Sequence, residues 1–472
     1  MSPATTQNRA VVWTIAFTNF ATPFMFSGVG VTLPSMGREL QMGGAEIGLF
    51  ETLYLGTAAA LVLPAGRLGD AGDKNTLFSV GVTVFAITTL ALGFLHSVPL
   101  LLAVRVLQAT SIALVAATNM AILTESVPGD RLGRAIGLSI GAVYTGLSAG
   151  PFVAGIITTG LGWRWVYGLS AVVSCGAAMA AWRGLKHRWH WPRFPFDWAG
   201  TVTSALGLML LIWGSAAAAE STYGRFALAG SVVCLVAFVV IERRAASPLV
   251  PLGMLTTNLV LLRALTVQLL TYAGAVGTSF MFSLYLQEAR GWSAQEAGRI
   301  LMISPVLMAL LAPPSGRLAD RVRPQLLATA GVALIVCGTV AAWTVPTTGS
   351  LTLLVIGLVG HGTGFALFSS PNMTVIMRAA PKERTGLASA LAAQMRTLGM
   401  VTSMMLITLF LAIHVGDQGL GPDSVPGLLT AMQWALGGIG LLAIWALVTA
   451  LRDVLGQRSA LPAQRGADPS RS

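Results

Sequence analysis

Apolar residues in this chain come in runs long enough to cross a membrane, separated by charged or Gly/Pro turns. Fourteen runs can be marked off: 10–34, 45–66, 76–95, 99–123, 133–158, 164–182, 198–218, 225–242, 258–286, 293–315, 326–345, 351–377, 385–413 and 427–451. Each is near the roughly 20 residues an α-helix needs to traverse hydrocarbon. In lipid, a backbone must satisfy its own hydrogen bonds, and a helix does so within one segment. The pattern predicts an all-α integral membrane protein with fourteen transmembrane helices. Composition agrees, since the 472 residues are 54% hydrophobic and only 10% charged. An average soluble domain is about 25% charged.

The chain repeats itself. Gly66-Arg67-Leu68-Gly69-Asp70 returns as Gly316-Arg317-Leu318-Ala319-Asp320. At the same offset Glu46 answers Glu296, Gly48 answers Gly298 and Pro64 answers Pro314. Further on, Asn119-Met120 answers Asn372-Met373, and Pro128-Gly-Asp-Arg-Leu-Gly133 answers Pro381-Lys-Glu-Arg-Thr-Gly386. Two related halves follow. The first copy of the five-residue motif comes after span 2 and the second after span 10, so two extra helices, 198–242, must lie between two bundles of six. The expected units are a six-helix bundle at 1–184, a loop and linker helix pair at 185–255, a second bundle at 256–452, and a disordered tail at 453–472. Repeats of this size in a membrane chain point to a secondary transporter with its site between the halves.

Charge tests the count. With the N-terminus inside, 22 of the 29 basic residues fall in inner loops and the tail, and five in outer loops. This is the positive-inside pattern. It accounts for the net charge of +11 without nucleic acid as a partner. The inner loop Lys186–Asp197, basic and rich in Trp and Pro, is expected to lie on anionic headgroups. His187 and His190 within it are weak ligand candidates. The three cysteines, Cys175, Cys234 and Cys337, lie in apolar runs and suit neither disulfides nor zinc. No cleavable signal is expected.

Charges within spans are costly and ask for a partner or a function. They are Glu51, Arg105 and Arg396. Helical rise places Glu51 about 22 Å from the inner face and Arg105 about 9 Å below the outer one, so an ion pair between spans 2 and 4 is feasible. Gln108 aligns with His361 in the repeat, and both are expected to face the central cleft. Glu125, at an inner helix end, is expected to be solvated. Asp70 and Asp320, beside Arg67, Arg317 and Arg321, suit a weak latch through helix dipoles. Gly146, Gly150 and Ala154 form a smooth face where a helix can approach closely, with Pro151 nearby, and such packing would seal the two halves. Gly137-Leu-Ser-Ile-Gly141 and Gly146-Leu-Ser-Ala-Gly150 fit a hydrolase nucleophile motif, but an apolar helix is the wrong context. No nucleotide-binding motif, cofactor site or metal cluster is expected. Active transport would therefore draw on an ion gradient.

These residues resemble the major facilitator superfamily, and the fourteen-helix layout resembles its drug:proton antiporters with two central linker helices. The Gly66–Asp70 and Gly316–Asp320 copies, with Arg321, match the signature after the second helix of each half. Arg105-Val-Leu-Gln108 resembles the helix 4 motif. Gly146-Leu-Ser-Ala-Gly150-Pro151-Phe-Val-Ala-Gly155 resembles the antiporter motif of exporters. Arg396 resembles an arginine the family carries in the same helix. The chain departs at Met25, where the family often has aspartate, and at Ala71-Gly72-Asp73-Lys74, where its basic tail is altered.

The resemblance implies a proton-coupled exporter of small amphipathic organic compounds in a bacterial inner membrane. One acid and two arginines in the cleft suit a neutral or anionic substrate. An uptake symporter, an intramembrane enzyme and a non-transporting sensor are the alternatives. A proton on Glu51 would free Arg105 to engage substrate or Gln108; the other reading is a static pair holding spans 2 and 4. Both termini should be cytoplasmic: reporter fusions at Gln7 and Ala467 are expected to give the same inside signal, and opposite signals would require an odd number of helices.

Overall fold

The computed structural model describes residues 3–42, 44–187, 197–217, 221–245, 248–274, 276–292, 294–415 and 425–465. Among these residues there is no strand. The first half comprises α1 (Pro3–Glu39), α2 (Gly44–Ala71), α3 (Lys74–Leu92), α4 (Val98–Ser126), α5 (Leu132–Gly160) and α6 (Trp163–Gly184). The linker pair is α7 (Trp198–Ala217) and α8 (Thr222–Arg244), followed by the short α9 (Leu252–Thr257). The second half comprises α10 (Leu259–Ala273), α11 (Val276–Leu284), α12 (Ala294–Leu301), α13 (Ile303–Ala319), α14 (Pro324–Thr348), α15 (Leu351–Ala379), α16 (Thr385–His414) and α17 (Val425–Arg465). By length and composition, 14 helices among the described residues can cross a membrane.

Local chemistry sets the helix ends. The Asp73 carboxylate caps α3 by accepting from the amides of Asn75 and Thr76, and Asn258 and Ser350 cap α10 and α15 likewise. Gly349 ends α14 in the left-handed conformation that glycine adopts freely.

Two expected spans are interrupted. The ninth breaks between α10 and α11, where a side chain at Gly274 would collide with the α17 backbone at Ala443. The Gly277 amide, just past this break, donates to the Ser403 hydroxyl at 2.9 Å, as a buried backbone requires. The same span ends in a π turn, Tyr285–Ala289. The tenth is divided into α12 and α13 at Met302.

The tail also differs from expectation. Helix α17 runs on to Arg465, so helix replaces the structureless segment expected from 453 as far as that residue. From Arg452 on, the helix contains a single glycine, Gly456, and its one proline, Pro462, stands three residues before its end. His190, with most of the loop before α7, lies outside the described residues.

The halves pair their helices in the same way. In the first, α1 packs on α5 and α6, α2 on α4, and α3 on α4 and α6. In the second, α10 packs on α16 and α17, α13 on α15, and α14 on α15 and α17. Equivalent asparagines serve equivalent places. Asn119 donates to Asn19 at 3.1 Å, and Asn372 donates to Gln268 at 2.9 Å.

The halves meet where α5 lies on α13, and where α16 lies on α2 and α4. The largest apolar core gathers residues of both halves at this end, among them Leu63, Ala117, Ile136, Leu387 and Leu391. Away from it each half has its own core. One is built on Phe50, Phe85 and Tyr167, the other on Phe282, Leu358 and Ile439. The molecule is thus closed at the end bearing Asp70 and Asp320 and divided at the other. At the divided end α1 is tied to α6: the Glu39 carboxylate accepts from the Trp163 indole at 2.6 Å and pairs with Arg164. Partial burial works to raise the Glu39 pKa, but these hydrogen bonds and the Arg164 charge outweigh it and hold the carboxyl below its usual range.

The glycine face of α5 is occupied, but not by the opposite half. Side chains at Gly146 and Gly150 would strike the α1 backbone at Phe20 and Phe24, and Ala154 touches Gly28 of α1. Gly155 faces open space. The smooth face therefore seals α1 to α5 within one bundle, because backbones that touch leave no room for a Cβ. Gly150→Val should lower the melting temperature of the purified protein by several degrees, whereas Gly155→Val should leave it nearly unchanged. Equal melting of the two variants would contradict this seam.

Candidate functional site

Helix α4 carries Arg105 into the apolar interior of the first half, where its residue exposure is 0%. Every edge of the guanidinium is engaged. It pairs with Glu51 of α2 at 3.0 Å, donates to Gln108 Oε1 at 2.8 Å and reaches the Phe50 carbonyl at 3.4 Å. The rings of Phe50 and Tyr54 lie against it, each centroid 4.3 Å from Cζ. Residues 50 and 54 are one helical turn apart and bracket Glu51, so α2 presents two ring faces and a carboxylate together. Glu51 retains 28% side-chain exposure.

The pair inferred from helical rise is therefore present, but Gln108 does not compete for it, since Arg105 holds both partners at once. Gln108 Nε2 donates to Thr89 of α3 at 2.8 Å and lies 3.8 Å from the Met25 sulfur. The position where the resemblance expects aspartate thus borders the network.

His361 repeats half of this arrangement. Its Nε2 lies 3.0 Å from the Thr339 hydroxyl, and its Nδ1 lies 2.9 Å from the Gly357 carbonyl. Thr339 stands where the repeat puts Thr89. Gln108 and His361 are thus equivalent, as expected, but both are buried and turned toward the preceding helix rather than into the cleft. Leu358 occupies the place of Arg105 and Leu301 that of Glu51, so the second half keeps the hydrogen bond and drops the charges.

At the closed end each half supplies an acid to the other. Asp70, at the end of α2, accepts from the amides of Gly386 and Leu387 at 2.7 and 2.8 Å, the start of α16. Asp320, at the end of α13, accepts from Gly133 and Arg134 at 2.7 and 2.8 Å, the start of α5. An anion here meets unpaired amides and the positive end of the helix dipole.

The basic partners differ from those expected. Asp70 pairs with Lys74 at 3.2 Å, and Asp320 with Arg378 at 3.5 Å rather than with Arg317 or Arg321. Lys74 follows Asp70 by one turn and Arg378 comes from α15, positions that face the carboxylates. Glu125 is not merely solvated: it pairs with Lys74 at 2.9 Å and accepts from Thr385 of the opposite half at 2.6 Å. Glu125 and Arg378 occupy equivalent repeat positions with opposite charge.

Behind these clasps the backbones touch. A side chain at Gly137 would meet Gly316 at 2.8 Å, one at Gly141 would meet Pro313 at 2.8 Å, and one at Gly66 would meet Ala390 at 2.6 Å. Gly133, Gly137 and Gly141 recur every fourth residue along this seam, so the Gly137–Gly141 pair that also fits the hydrolase motif serves helix packing. Where the repeat would place a second Gly141 stands Gln394, 2% exposed, with neither amide atom hydrogen-bonded. Nothing in its sequence neighbourhood marks it.

Arg396 lies eleven residues into α16, about 17 Å along the axis and near mid-membrane. Its charge reaches Tyr144 of α5, whose hydroxyl hydrogen-bonds with Tyr272 of α10 and Ser369 of α15. Arg396 stays apart from Glu51 and Arg105, so the expected cleft residues form two groups.

Rigid bundles that clasp at one end and part at the other suit a carrier that opens to each side in turn, and this is a membrane transporter. Residues 15–404 match the Major Facilitator Superfamily, and the chain belongs to that family. The tetracenomycin C resistance and export protein of Streptomyces glaucescens is 29% identical over 396 residues, covering 82% of this chain and 73% of that one. The puromycin resistance protein pur8 of Streptomyces alboniger is 28% identical over 479 residues, covering 92% and 91%. The structure of the proton:xylose symporter XylE aligns with a TM-score of 0.63 at 13% identity, covering 95% of each chain, a likeness of fold alone.

Asp70→Asn and Asp320→Asn should each weaken the closed end, since an amide supplies only one acceptor and no charge. A charge-assisted cap is worth roughly 1–2 kcal/mol. Cysteine labelling behind the clasp should therefore quicken about tenfold while equilibrium substrate affinity changes little. Loss of affinity in a folded variant would place these residues in the binding site instead.

Proposed function

We propose that this transporter exports small amphipathic organic compounds from a bacterial cell in exchange for protons, with the clasped end in the cytoplasm. The observation that carries the coupling is the Glu51–Arg105 pair. Glu51 sits seven residues inside α2, partly open to the cleft, against a guanidinium with no exposure. A proton arriving on Glu51 ends the pair without releasing Arg105, which keeps Gln108, the Phe50 carbonyl and the two rings. What is freed is the Glu51 carboxyl and the hold between α2 and α4. Because α2 also carries Asp70, a change in its seating reaches the clasp on α16. Coupling arises if the protonated and ionised forms favour different states.

Export rather than uptake is supported by the antibiotic resistance and export functions in the relatives' names, and by the glycine motif of α5. With basic loops inside, the conformation described is closed to the cytoplasm and divided toward the exterior. In everted vesicles, Glu51→Gln should abolish substrate accumulation driven by a pH gradient while sparing binding and substrate exchange. Accumulation against a gradient with wild-type pH dependence would make the pair structural and place coupling elsewhere.

A further inference from the structure

The linker pair holds an acid in an unfavourable place. Glu242 lies in the last turn of α8, two residues before its end, where the helix dipole disfavours a carboxylate. Its neighbours Arg243 and Arg244 are exposed and suit that position, but Glu242 is only 4% exposed. A buried carboxylate needs hydrogen bonds. Both of its oxygens find them further along the chain. Oε1 accepts from the Leu249 amide at 3.1 Å and Oε2 from the Val250 amide at 3.2 Å. The first turn of α7 closes over the same group, since a side chain at Gly200 would meet Glu242 Oε1 at 2.9 Å and Asp197 Oδ2 at 2.5 Å.

What Glu242 grips is not a surface loop. Leu249 is 1% exposed and Val250 5%, and both belong to the apolar core that the two halves share at the clasped end. Beyond them Met254 and Leu255 of α9 pack on the same core. Asn258 then fixes the far end of the segment, donating to the Ala379 carbonyl of α15 at 2.8 Å. The strap from Leu249 to Asn258 is thus pinned by the linker pair at one end and by the second half at the other.

We propose that Leu249 and Val250 form a removable plug in the clasped end, and that Glu242 is the catch that seats it. The inference rests on the reading of a carrier that opens to each side in turn. For the clasped end to open, the shared core must divide, and two apolar side chains on a short strap must meet water. That exposure opposes opening. Hydrogen bonds to an ionised carboxylate are stronger than those between neutral groups, and two of them keep the strap in place. Because α7 lies against α2 and α16, the catch stands beside a junction that parts. The linker pair therefore does more than join the halves: it sets how readily the clasped end opens. Glu242 is a positioning residue, acting through the strap.

The test uses the full-length protein in lipid nanodiscs, with Cys175, Cys234 and Cys337 replaced by serine and spin labels attached to introduced cysteines in pairs. Labels at Arg131 and Lys382, exposed turns of opposite halves, report whether the clasped end is open. A label at Gly253 of α9, where an added Cβ meets nothing within 4 Å, reports the strap when paired with Lys382. Dipolar distances are compared in an Asp70→Asn background, where the clasp is already loosened and both states should be populated. Adding Glu242→Ala should raise the open-to-closed ratio about tenfold, the scale of a lost charged hydrogen bond, and broaden the Gly253–Lys382 distance. Glu242→Gln, which keeps one acceptor oxygen, should raise the ratio less. Val250→Ala should raise it with the catch intact. Melting of each variant checks folding, and if Glu242→Ala does not fold, the other two decide in the same way.

The plug is overturned if Asp70→Asn alone widens the Arg131–Lys382 distance and folded Glu242→Ala adds nothing, since the carboxylate then only shapes a loop. It is also overturned if the clasped end widens while Gly253 keeps its closed-state distance to Lys382. Either result leaves the transporter reading standing. If the Arg131–Lys382 distance widens in no variant, the alternating carrier fails and the plug falls with it.

Discussion

A carboxylate on the first amides of a helix from the opposite half is the interaction on which this conformation depends. It occurs twice, through Asp70 on α16 and Asp320 on α5. Each acid sits at the end of a helix that is itself packed along the seam, so the cap and the seam form together. The two clasps share a geometry but not their supporting charges. One has an anion–cation–anion chain of Asp70, Lys74 and Glu125, and the other a single Arg378. Duplication preserved the backbone contacts that both halves need and let the surrounding charges diverge.

The seams explain the glycines. Where Gly316 meets Gly133 and Gly137, and Gly66 meets Gly386, the backbones are too close for any side chain. In lipid no hydrophobic force drives such contacts, which depend on close packing and on satisfied polar groups. A surface built this way adheres well when aligned and loses nearly all its contact after a small rotation, as suits bundles that must part and rejoin. Gln394 is buried in this zone without a hydrogen bond to a described residue.

The architecture was legible because membrane helices announce themselves by length, and because the repeat displaced its second motif by two helices. The Glu51–Arg105 pair was legible because helical rise converts residue count into depth. Contacts between repeats were not. Lys74 stands one turn after Asp70, a local spacing, but Arg378 as partner of Asp320 depends on how α13 and α15 meet, which no local pattern encodes. The Gly146 and Gly150 face was read correctly as a close-packing surface, but its partner, α1, is set by the bundle and not by the motif. Gln108 and His361 were matched correctly, yet their direction follows Thr89 and Thr339 on the helices before them. Tyr144, Tyr272 and Ser369 are ordinary residues in sequence and meet only when three helices converge.

The linker pair is placed on one side only. Helix α7 lies against α2 and α16, the two helices joined by the Asp70 clasp, while among the described residues no linker helix packs comparably on the junction of α5 with α13. The pseudo-twofold relation between the halves is therefore broken at their rims. One junction has a protein neighbour whose contacts are fixed by sequence. The other is left to acyl chains, whose thickness and lateral pressure vary with the membrane. The bilayer is thus a mechanical participant along a single edge of the molecule, and the inserted helices shield the opposite edge from it.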